Sequence, residues 1–136
     1  MSNEDILRAL ITVHNGGWQI DAALQFLSPQ FVEHLGGGPE MHNRDSWQQA
    51  TEGFARAFPD YEAEVHDIVC HQDRAAARTT WRGTHTGEMD GIPPSGKRVE
   101  VSLIGFYRFD NGLVIEAWIE QNTLGMLQQM GVIPIA

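Results

Sequence analysis

Cysteine is nearly absent from this sequence, and its scarcity excludes two kinds of site. Cys70 is the only cysteine among 136 residues, so an internal disulfide bond is impossible. A zinc site built from several thiolates is excluded for the same reason. A chain without disulfides suits a reducing compartment, and we expect the protein to act in the cytoplasm.

Basic residues and long apolar runs are also scarce. Nine Lys and Arg face eighteen Asp and Glu, which gives a formal net charge of -9. This balance disfavours nucleic acid and anionic membranes as partners, because both attract basic surfaces. No apolar run approaches the roughly 20 residues that cross a bilayer. The opening residues, MSNEDILRAL, lack the charge and apolar pattern of a secretion signal.

Motifs that hold metals, bind phosphates or present nucleophiles are missing too. The six histidines form no HExxH pattern, and we predict no metal site. The glycines at 36–38 match neither common phosphate-loop signature, and no GxSxG sequence occurs. The sequence therefore favours chemistry that side chains alone can perform.

Hydrophobic periodicity predicts helices first, then strands, then a short helix. The apolar stripe of the first helix ends at His14, and Asp110-Asn111-Gly112 is typical of a hairpin turn. The predicted helices span 3–15, 21–27, 45–57 and 123–130, with a brief extended piece at 31–35 and a glycine-rich break at 36–39. The predicted strands span 61–71, 74–86, 98–109 and 113–122, with a loop over 88–97.

This order predicts one α+β domain covering residues 1–136. Long, mostly antiparallel strands curl around helices packed on one face, and the product is a cone with an internal pocket. The barrel-like cone would be closed by the N-terminal helices. Its pocket is the natural place to look for function.

The strand Leu113–Asn122 carries the most informative pattern. Successive residues of a strand point to opposite faces, so Glu116, Trp118, Glu120 and Asn122 would share one face. A solvent-facing strand explains the glutamates but not the indole, whereas a cavity explains both. A carboxylate among aromatic rings would have a raised pKa, which suits Glu120 to acid/base work.

The opposite face of this strand would be aliphatic. An apolar outer sheet face usually packs against another surface, so we predict a homodimer. The residues of that face are Leu113, Ile115, Ala117 and Ile119.

Aromatic side chains on the third helix and on the strands would all lie inside. They either fill the core or line the pocket, and together with Glu120, Asn122 and His34 they favour a lining. The predicted walls are Trp47, Phe54, Phe58, Trp81, Phe106 and Trp118. His34 or His85 would be a second polar group, and His85 could equally be structural.

With these segments assembled, the chain resembles the SnoaL-like polyketide (ester) cyclase family of the nuclear-transport-factor-2-like superfamily. The matching segments are AFPDYEAEV at 57–65, DRAAARTTWRGTHTGEMDGIPPSGKRVEV at 73–101, YRFDNGLVIEAW at 107–118 and TLGMLQQMG at 123–131. FVEHL at 31–35 extends the match weakly towards the N-terminus. The combination of FPD, GTHxG, PPxGK and IxEAW is specific for the family but not for one activity.

The resemblance implies a cone-shaped fold, commonly a homodimer through the outer sheet face. It also implies an intramolecular aldol closure of an apolar polyketide-like or cyclic carbonyl compound, without cofactor. A carboxylate near the end of the last strand assists this reaction. Family members commonly carry aspartate four residues after Trp118, where this chain has Asn122, so Glu120 becomes the candidate acid and Asn122 an oxygen-orienting donor.

Two alternatives remain open at this point. Asn122 favours a protein that binds a small molecule without transforming it. An epoxide-hydrolase-like hydratase would need an Arg-x-Asp sequence, and Arg78-Thr79-Thr80 lacks the aspartate. Fold alone does not choose among these activities.

Overall fold

The computed structural model describes residues 1–36 and 40–135. Its helices are α1 (Asn3–Thr12), α2 (Ile20–Leu24), α3 (Arg44–Ala57) and α4 (Thr123–Gln129). Its strands are β1 (Leu27–Leu35), β2 (Met41–Asn43), β3 (Glu62–His71), β4 (Arg74–Thr84), β5 (Arg98–Asp110) and β6 (Leu113–Gln121). Residues 37–39 of the predicted glycine-rich break lie outside the described residues.

One six-stranded sheet organises the chain, in the order β2-β1-β6-β5-β4-β3. Every neighbouring pair is antiparallel except β1 and β6, which run parallel. The predicted α+β class and curved sheet are confirmed, although β2 and β3 remain open edges. The extended piece at 31–35 is the second half of the longer β1, which tolerates Pro29 because its ladder with β6 is irregular between Leu27 and Val32.

Capping residues define where two of the helices begin. Ser2 and Asp5 form a reciprocal capping box at the start of α1. Asn43 does the same for α3 with Ser46, and Asn43 is also the last residue of β2. The edge strand therefore leads directly into α3, which fixes the helix over the inner sheet face.

The loop between β4 and β5 is anchored on the C-terminal end of α3. The backbone N–H groups of Thr86 and Gly87 both donate to the carbonyl oxygen of Ala57, at 3.0 and 3.2 Å. A Cβ atom at Gly87 would collide with the carbonyl group of Arg56, so only glycine permits this close approach. The loop thus forms one wall of the space between the helices and the sheet.

A β-bulge in β6 determines which residues face that space. Arg108 pairs with Glu116 and Phe109 pairs with Val114, so Ile115 is an extra residue on β6. The extra residue reverses the alternation, and Val114 and Ala117 are therefore both buried. From Glu116 onwards the even-numbered residues of β6 point outward.

The prediction that Leu113, Ile115, Ala117 and Ile119 share an outer aliphatic face is consequently wrong for the last two residues. Ala117 is buried in the core, and Ile119 packs against the same core cluster. Leu113 and Ile115 lie before this reversal and are half-buried. The predicted reason for a homodimer therefore fails, because this parity does not form one outer surface.

Candidate functional site

A cavity of about 1690 Å³ lies between the inner sheet face and the helices. It is bounded by α1, α3, α4 and the loop after β4. Most of its lining is apolar, as small-molecule sites generally are. The apolar lining includes Leu10, Ile11, Phe31, Trp47, Phe54, Leu103, Ile119 and Met126.

Glu33 and His42 form a hydrogen-bonded pair in the wall of this cavity. They lie directly opposite each other on the antiparallel strands β1 and β2. His42 Nδ1 is 3.3 Å from Glu33 Oε1, and the two side chains are only 16% and 13% exposed. Burial raises the pKa of the Glu33 carboxyl, and the hydrogen bond and charge of His42 oppose that rise. The pair can therefore exchange a proton with a bound molecule.

His14 supplies a neutral ring to the same cavity. Its Nδ1 accepts a hydrogen bond from the backbone N–H of Gln19 at 3.1 Å, so the ring proton resides on Nε2. The ring packs on Trp18 with a centroid separation of 4.4 Å. Burial lowers the pKa of His14 to about 4. His14 is thus an uncharged donor at neutral pH.

An aromatic cluster forms the wall beside His14. Trp18 packs against Tyr61 at 4.8 Å between ring centroids, and Tyr61 stacks on Trp81 at 5.5 Å. Trp18 Nε1 donates to the carbonyl oxygen of Phe58 at 2.9 Å. Burial raises the pKa of Tyr61 to about 12, so its phenol remains protonated. These rings fix the shape of the cavity at this end.

Two of the six predicted wall residues line the cavity, and two lie behind it. Trp47 and Phe54 of α3 line it, as the helical periodicity predicts. Phe58 and Trp81 are almost completely buried and contact each other at 5.1 Å between ring centroids. Trp81 also donates to the side-chain oxygen of Gln121 at 3.3 Å, and so orients an amide that lines the cavity.

Glu120, Phe106 and Trp118 face outward, which corrects the sequence-based expectation. Glu120 is exposed, and Phe106 and Trp118 are 45% and 38% exposed. For Glu120 and Trp118 the bulge at Ile115 is the physical reason, since it turns the polar face of β6 away from the cavity. Phe106 faces outward because the odd-numbered residues of β5, such as Gly105 and Tyr107, occupy the inner face. Glu120 therefore cannot reach a molecule bound inside.

Asn122 serves as the N-cap of α4. Its side-chain oxygen accepts a hydrogen bond from the backbone N–H of Gly125 at 2.9 Å. This bond satisfies one of the free donors of the first helical turn. Since the residue is exposed and its oxygen is engaged in the cap, the structure gives no support to an oxygen-orienting role.

His34 lies on the outer sheet face and not in the cavity. Its Nε2 is 2.8 Å from Glu116 Oε2, and its ring stacks on Trp118 at 5.2 Å. Arg108 contacts the other oxygen of the same carboxylate at 2.9 Å. The hydrogen bond from His34, helped by Arg108, holds the pKa of Glu116 below its usual range.

His85 is fully buried and has a structural position. Its Nδ1 accepts the backbone N–H of Ser95 at 3.0 Å, which pins the two ends of the β4–β5 loop together. Its backbone N–H donates to Lys97, and its carbonyl accepts from Gly96, both at 2.8 Å. Of its two predicted roles, these contacts favour the structural one.

Sequence reasoning missed Glu33, although a signal was present. Phe31, Glu33 and Leu35 share one face of β1, so a single carboxylate stands between two apolar residues. All three line the cavity. His42 carried no comparable signal, because its strand has only three residues and follows the glycine-rich segment.

The described residues hold no group of three or more His, Cys, Asp or Glu side chains arranged to bind a metal. Among the helices in residues 1–36 and 40–135, none has the length and apolar character needed to cross a bilayer. The lining of the cavity combines a majority of apolar side chains with a smaller number of polar ones. Fold and site together define a small-molecule pocket protein of the α+β cone type.

Comparison with known proteins narrows this class to a family. The model of the SnoaL-like polyketide cyclase family matches residues 4–130. The chain belongs to this family, which confirms the resemblance found in the sequence.

Individual relatives agree with this assignment. The chain is 26% identical over 133 residues to the aklanonic acid methyl ester cyclase DnrD of Streptomyces peucetius, covering 93% of this chain and 89% of that protein. It is 30% identical to IdmH, described as a candidate polyketide cyclase of Streptomyces antibioticus, with a TM-score of 0.82 and coverage of 97% and 100%. AclR, described as a candidate hydroxylase of Streptomyces galilaeus, is 29% identical with a TM-score of 0.88, covering 98% and 83%.

Proposed function

We propose that this protein is a cofactor-independent cyclase or isomerase that acts on an apolar, polyketide-like carbonyl compound inside its cavity. The observation that carries the proposal is the Glu33–His42 pair in a large, mainly apolar cavity. Similarity to the aklanonic acid methyl ester cyclase DnrD and to the candidate polyketide cyclase IdmH supports this class of substrate. Glu33 takes the role of acid and base that the sequence assigned to Glu120, because Glu120 points away from the cavity.

In the proposed reaction Glu33 acts as the general base. Its carboxylate removes a proton from the carbon next to a carbonyl group, which leaves an enolate. The enolate carbon forms a bond to a second carbonyl carbon of the same molecule, and the resulting alkoxide takes a proton from the Glu33–His42 pair. The Nε2–H of His14 donates to an oxygen that carries the developing charge. Protons and electrons balance without a cofactor.

Burial makes Glu33 suited to this work. A carboxyl with a raised pKa is a stronger base than an exposed one, and a general base is most effective when its pKa is near the working pH. The hydrogen bond from His42 limits the rise in the pKa of Glu33. The apolar part of the lining lowers the local polarity, which strengthens hydrogen bonds made to the substrate there.

Proton exchange provides a direct test that does not require the natural substrate. The probe is 2-tetralone in deuterated buffer, and the rate of deuterium incorporation next to its carbonyl group is followed by NMR. We expect the wild-type protein to accelerate exchange and Glu33→Gln to lose about 100-fold or more of that acceleration. Glu120→Gln is the matched control and should exchange at the wild-type rate.

Two outcomes of this experiment contradict the proposal. Loss of exchange in Glu120→Gln, with Glu33→Gln unaffected, would restore the sequence-based assignment of the base. Equal exchange with and without wild-type protein would show that the cavity does not abstract such protons. Circular dichroism and thermal midpoints of both variants check that the fold is retained.

A binding protein that has lost the chemistry is the second candidate. The observation favouring it is Asn122, an amide where family members commonly carry aspartate, which caps α4 in this structure. This candidate predicts tight binding of polycyclic ketones with no exchange and no product across a panel of polyketide-like esters. The epoxide-hydratase alternative gains no support, because Arg78 pairs with Asp67 at 2.8 Å on the exposed sheet surface.

We also propose a homodimer through the outer sheet face, formed by other residues than those the strand pattern indicated. Phe106 and Trp118 are paired across β5 and β6, and Ile104 lies beside them, 57% exposed. A patch of this kind on the outer sheet face is suited to bind a second copy of the chain.

Light scattering at micromolar concentration should give twice the chain mass, and Trp118→Glu should give a monomer. Val132→Glu, at an exposed apolar residue beyond α4, is the control, and a monomeric wild-type protein contradicts the proposal.

A further inference from the structure

Tyr107 places a phenol at the centre of the inner sheet face. It lies on β5, is only 6% exposed and lines the cavity. The proposed acid/base step does not use it. Its position is unusual because the residue two places earlier on the same face is Gly105.

The side chain of Tyr107 folds back over Gly105. A Cβ atom at Gly105 would lie 2.5 Å from Cζ of Tyr107 and 2.6 Å from Cε2, and closer still to the hydroxyl oxygen. Any other residue at position 105 would therefore displace the phenol. Glycine weakens the interior of a strand, so its presence here indicates a close approach that the strand accommodates.

Small residues on the neighbouring strands complete the space for the ring. Ala75 and Ala117 pair with Tyr107 on its two sides, and Ala77 pairs with Gly105. All of them are buried on the inner face. The ring thus lies on a floor of small side chains, which directs its hydroxyl along the sheet and not towards a neighbouring side chain.

The Tyr107 hydroxyl makes no hydrogen bond to any described residue. Among the described residues, three fully enclosed side-chain polar atoms lack a hydrogen-bond partner: Arg44 Nε, Thr79 Oγ1 and His85 Nε2. The Tyr107 hydroxyl is not one of them, so it is not fully enclosed by protein atoms. The hydroxyl therefore opens on the cavity. A polar group in an apolar setting is costly unless something accepts its hydrogen bond, so the cavity contents must supply the acceptor.

We propose that the Tyr107 hydroxyl binds a carbonyl oxygen of the ligand and that Gly105 is the residue that positions it. The choice of a carbonyl ligand rests on the proposed function. Burial, with the nearby charge of Glu33, raises the pKa of Tyr107, so the phenol keeps its proton and donates it in the hydrogen bond. Glu33 and Tyr107 then hold two different points of one molecule.

A ligand pair that differs in a single oxygen isolates this subsite. 9-Fluorenone is a flat ketone, and fluorene is the same skeleton with a methylene group in place of the carbonyl. Quenching of tryptophan fluorescence reports binding, since Trp18 and Trp47 line the cavity. We expect the wild-type protein to prefer fluorenone by about five- to tenfold, the contribution of one neutral hydrogen bond.

Tyr107→Phe should abolish that preference and leave fluorene binding unchanged. Gly105→Ala should have the same effect by moving the phenol. Ser102→Ala, which removes an exposed hydroxyl on the outer face of the same strand, is the control and should keep the preference. The carbonyl stretch of bound fluorenone should move to lower frequency in the wild-type protein and return in Tyr107→Phe. A purely structural role of Tyr107 would not move this band.

Three results would overturn the proposal. The first is equal binding of the two ligands by the wild-type protein. The second is a preference that persists in Tyr107→Phe, and the third is a preference that Ser102→Ala abolishes as completely as Tyr107→Phe does. Fluorenone has no hydrogen on the carbon next to its carbonyl group that a base could remove. The binding result is therefore independent of the Glu33 exchange experiment, and each proposal can fail while the other stands.

Discussion

The buried ring of His14 should make the free energy of unfolding of the protein fall as the solution becomes acidic. Its ring is buried and neutral, with a pKa near 4, against 6.5 for an unperturbed histidine. The unfolded chain therefore binds a proton at this residue between pH 6.5 and 4, and the folded chain does not. The contribution of the neutral His14 ring to the free energy of unfolding is therefore fully present well above pH 6.5. It declines as the pH falls from 6.5 to 4.

Linkage gives the size of this decline. The two pKa values predict a loss of about 2 kcal/mol at pH 5 and about 3 kcal/mol at pH 4, relative to pH 7. His14→Asn removes the titration, while the asparagine oxygen takes the place of Nδ1 as acceptor for the backbone N–H of Gln19. We expect the wild-type protein to lose that much more stability than the variant on going from pH 7 to pH 4.

Urea unfolding at several pH values measures the difference. The free energy of unfolding is extrapolated to zero urea for both proteins, with circular dichroism and tryptophan fluorescence as independent probes. Other titrating groups, including Glu33, contribute to both proteins and cancel in the difference. Parallel curves for the two proteins from pH 7 to pH 4 would show that His14 is not a buried neutral ring, and the donor role proposed for its Nε2–H would fall with it.

Three further substitutions test the structural roles assigned above. Asp60→Asn should cost about 1 kcal/mol after allowance for solvent, because Asp60 accepts two 2.7 Å hydrogen bonds from Thr84. Those bonds outweigh partial desolvation and lower the pKa of Asp60. The stabilisation that Asp60 provides is therefore present above the usual pKa of an aspartate and is lost in stronger acid. A cost of the substitution that does not change with pH would contradict this. Asn122→Ala should cost about 1 kcal/mol through loss of the α4 cap and leave 2-tetralone exchange unchanged, whereas a large loss of exchange would make Asn122 part of the site. Phe58→Ala should destabilise the protein by about 3–5 kcal/mol by leaving a void in the core, and a cost below 1 kcal/mol would refute its buried position.

Much of the secondary structure could be predicted because local signals determine it. The hairpin turn at Asn111-Gly112 lies where the sequence indicated it, between β5 and β6. The helical spacing of Trp47 and Phe54 correctly placed both against the cavity. These features depend on residues within a few positions of one another, so a single sequence carries enough information.

The candidate site could be predicted only in part, because strand orientation depends on pairing. The alternation along β6 was read with a strict period of two, and one extra residue at Ile115 reversed it. Nothing in the sequence of β6 alone marks that bulge, which arises from the register with β5. Glu120 therefore faces outward. Glu33, on a strand that was only half recognised, supplies a well-buried carboxylate to the cavity lining.

The sequence by itself determined the family, the α+β class, most element boundaries and the impossibility of an internal disulfide bond. Tertiary structure decided which carboxylate meets the cavity, which aromatic rings are exposed and where a phenol can lie over a glycine. The physical reason is that side-chain type and spacing are local, whereas a cavity is formed by strands that meet across the whole chain. Leu27 pairs with Val114 and Glu33 with Ala117, so the site exists only when the two ends of the chain are brought together.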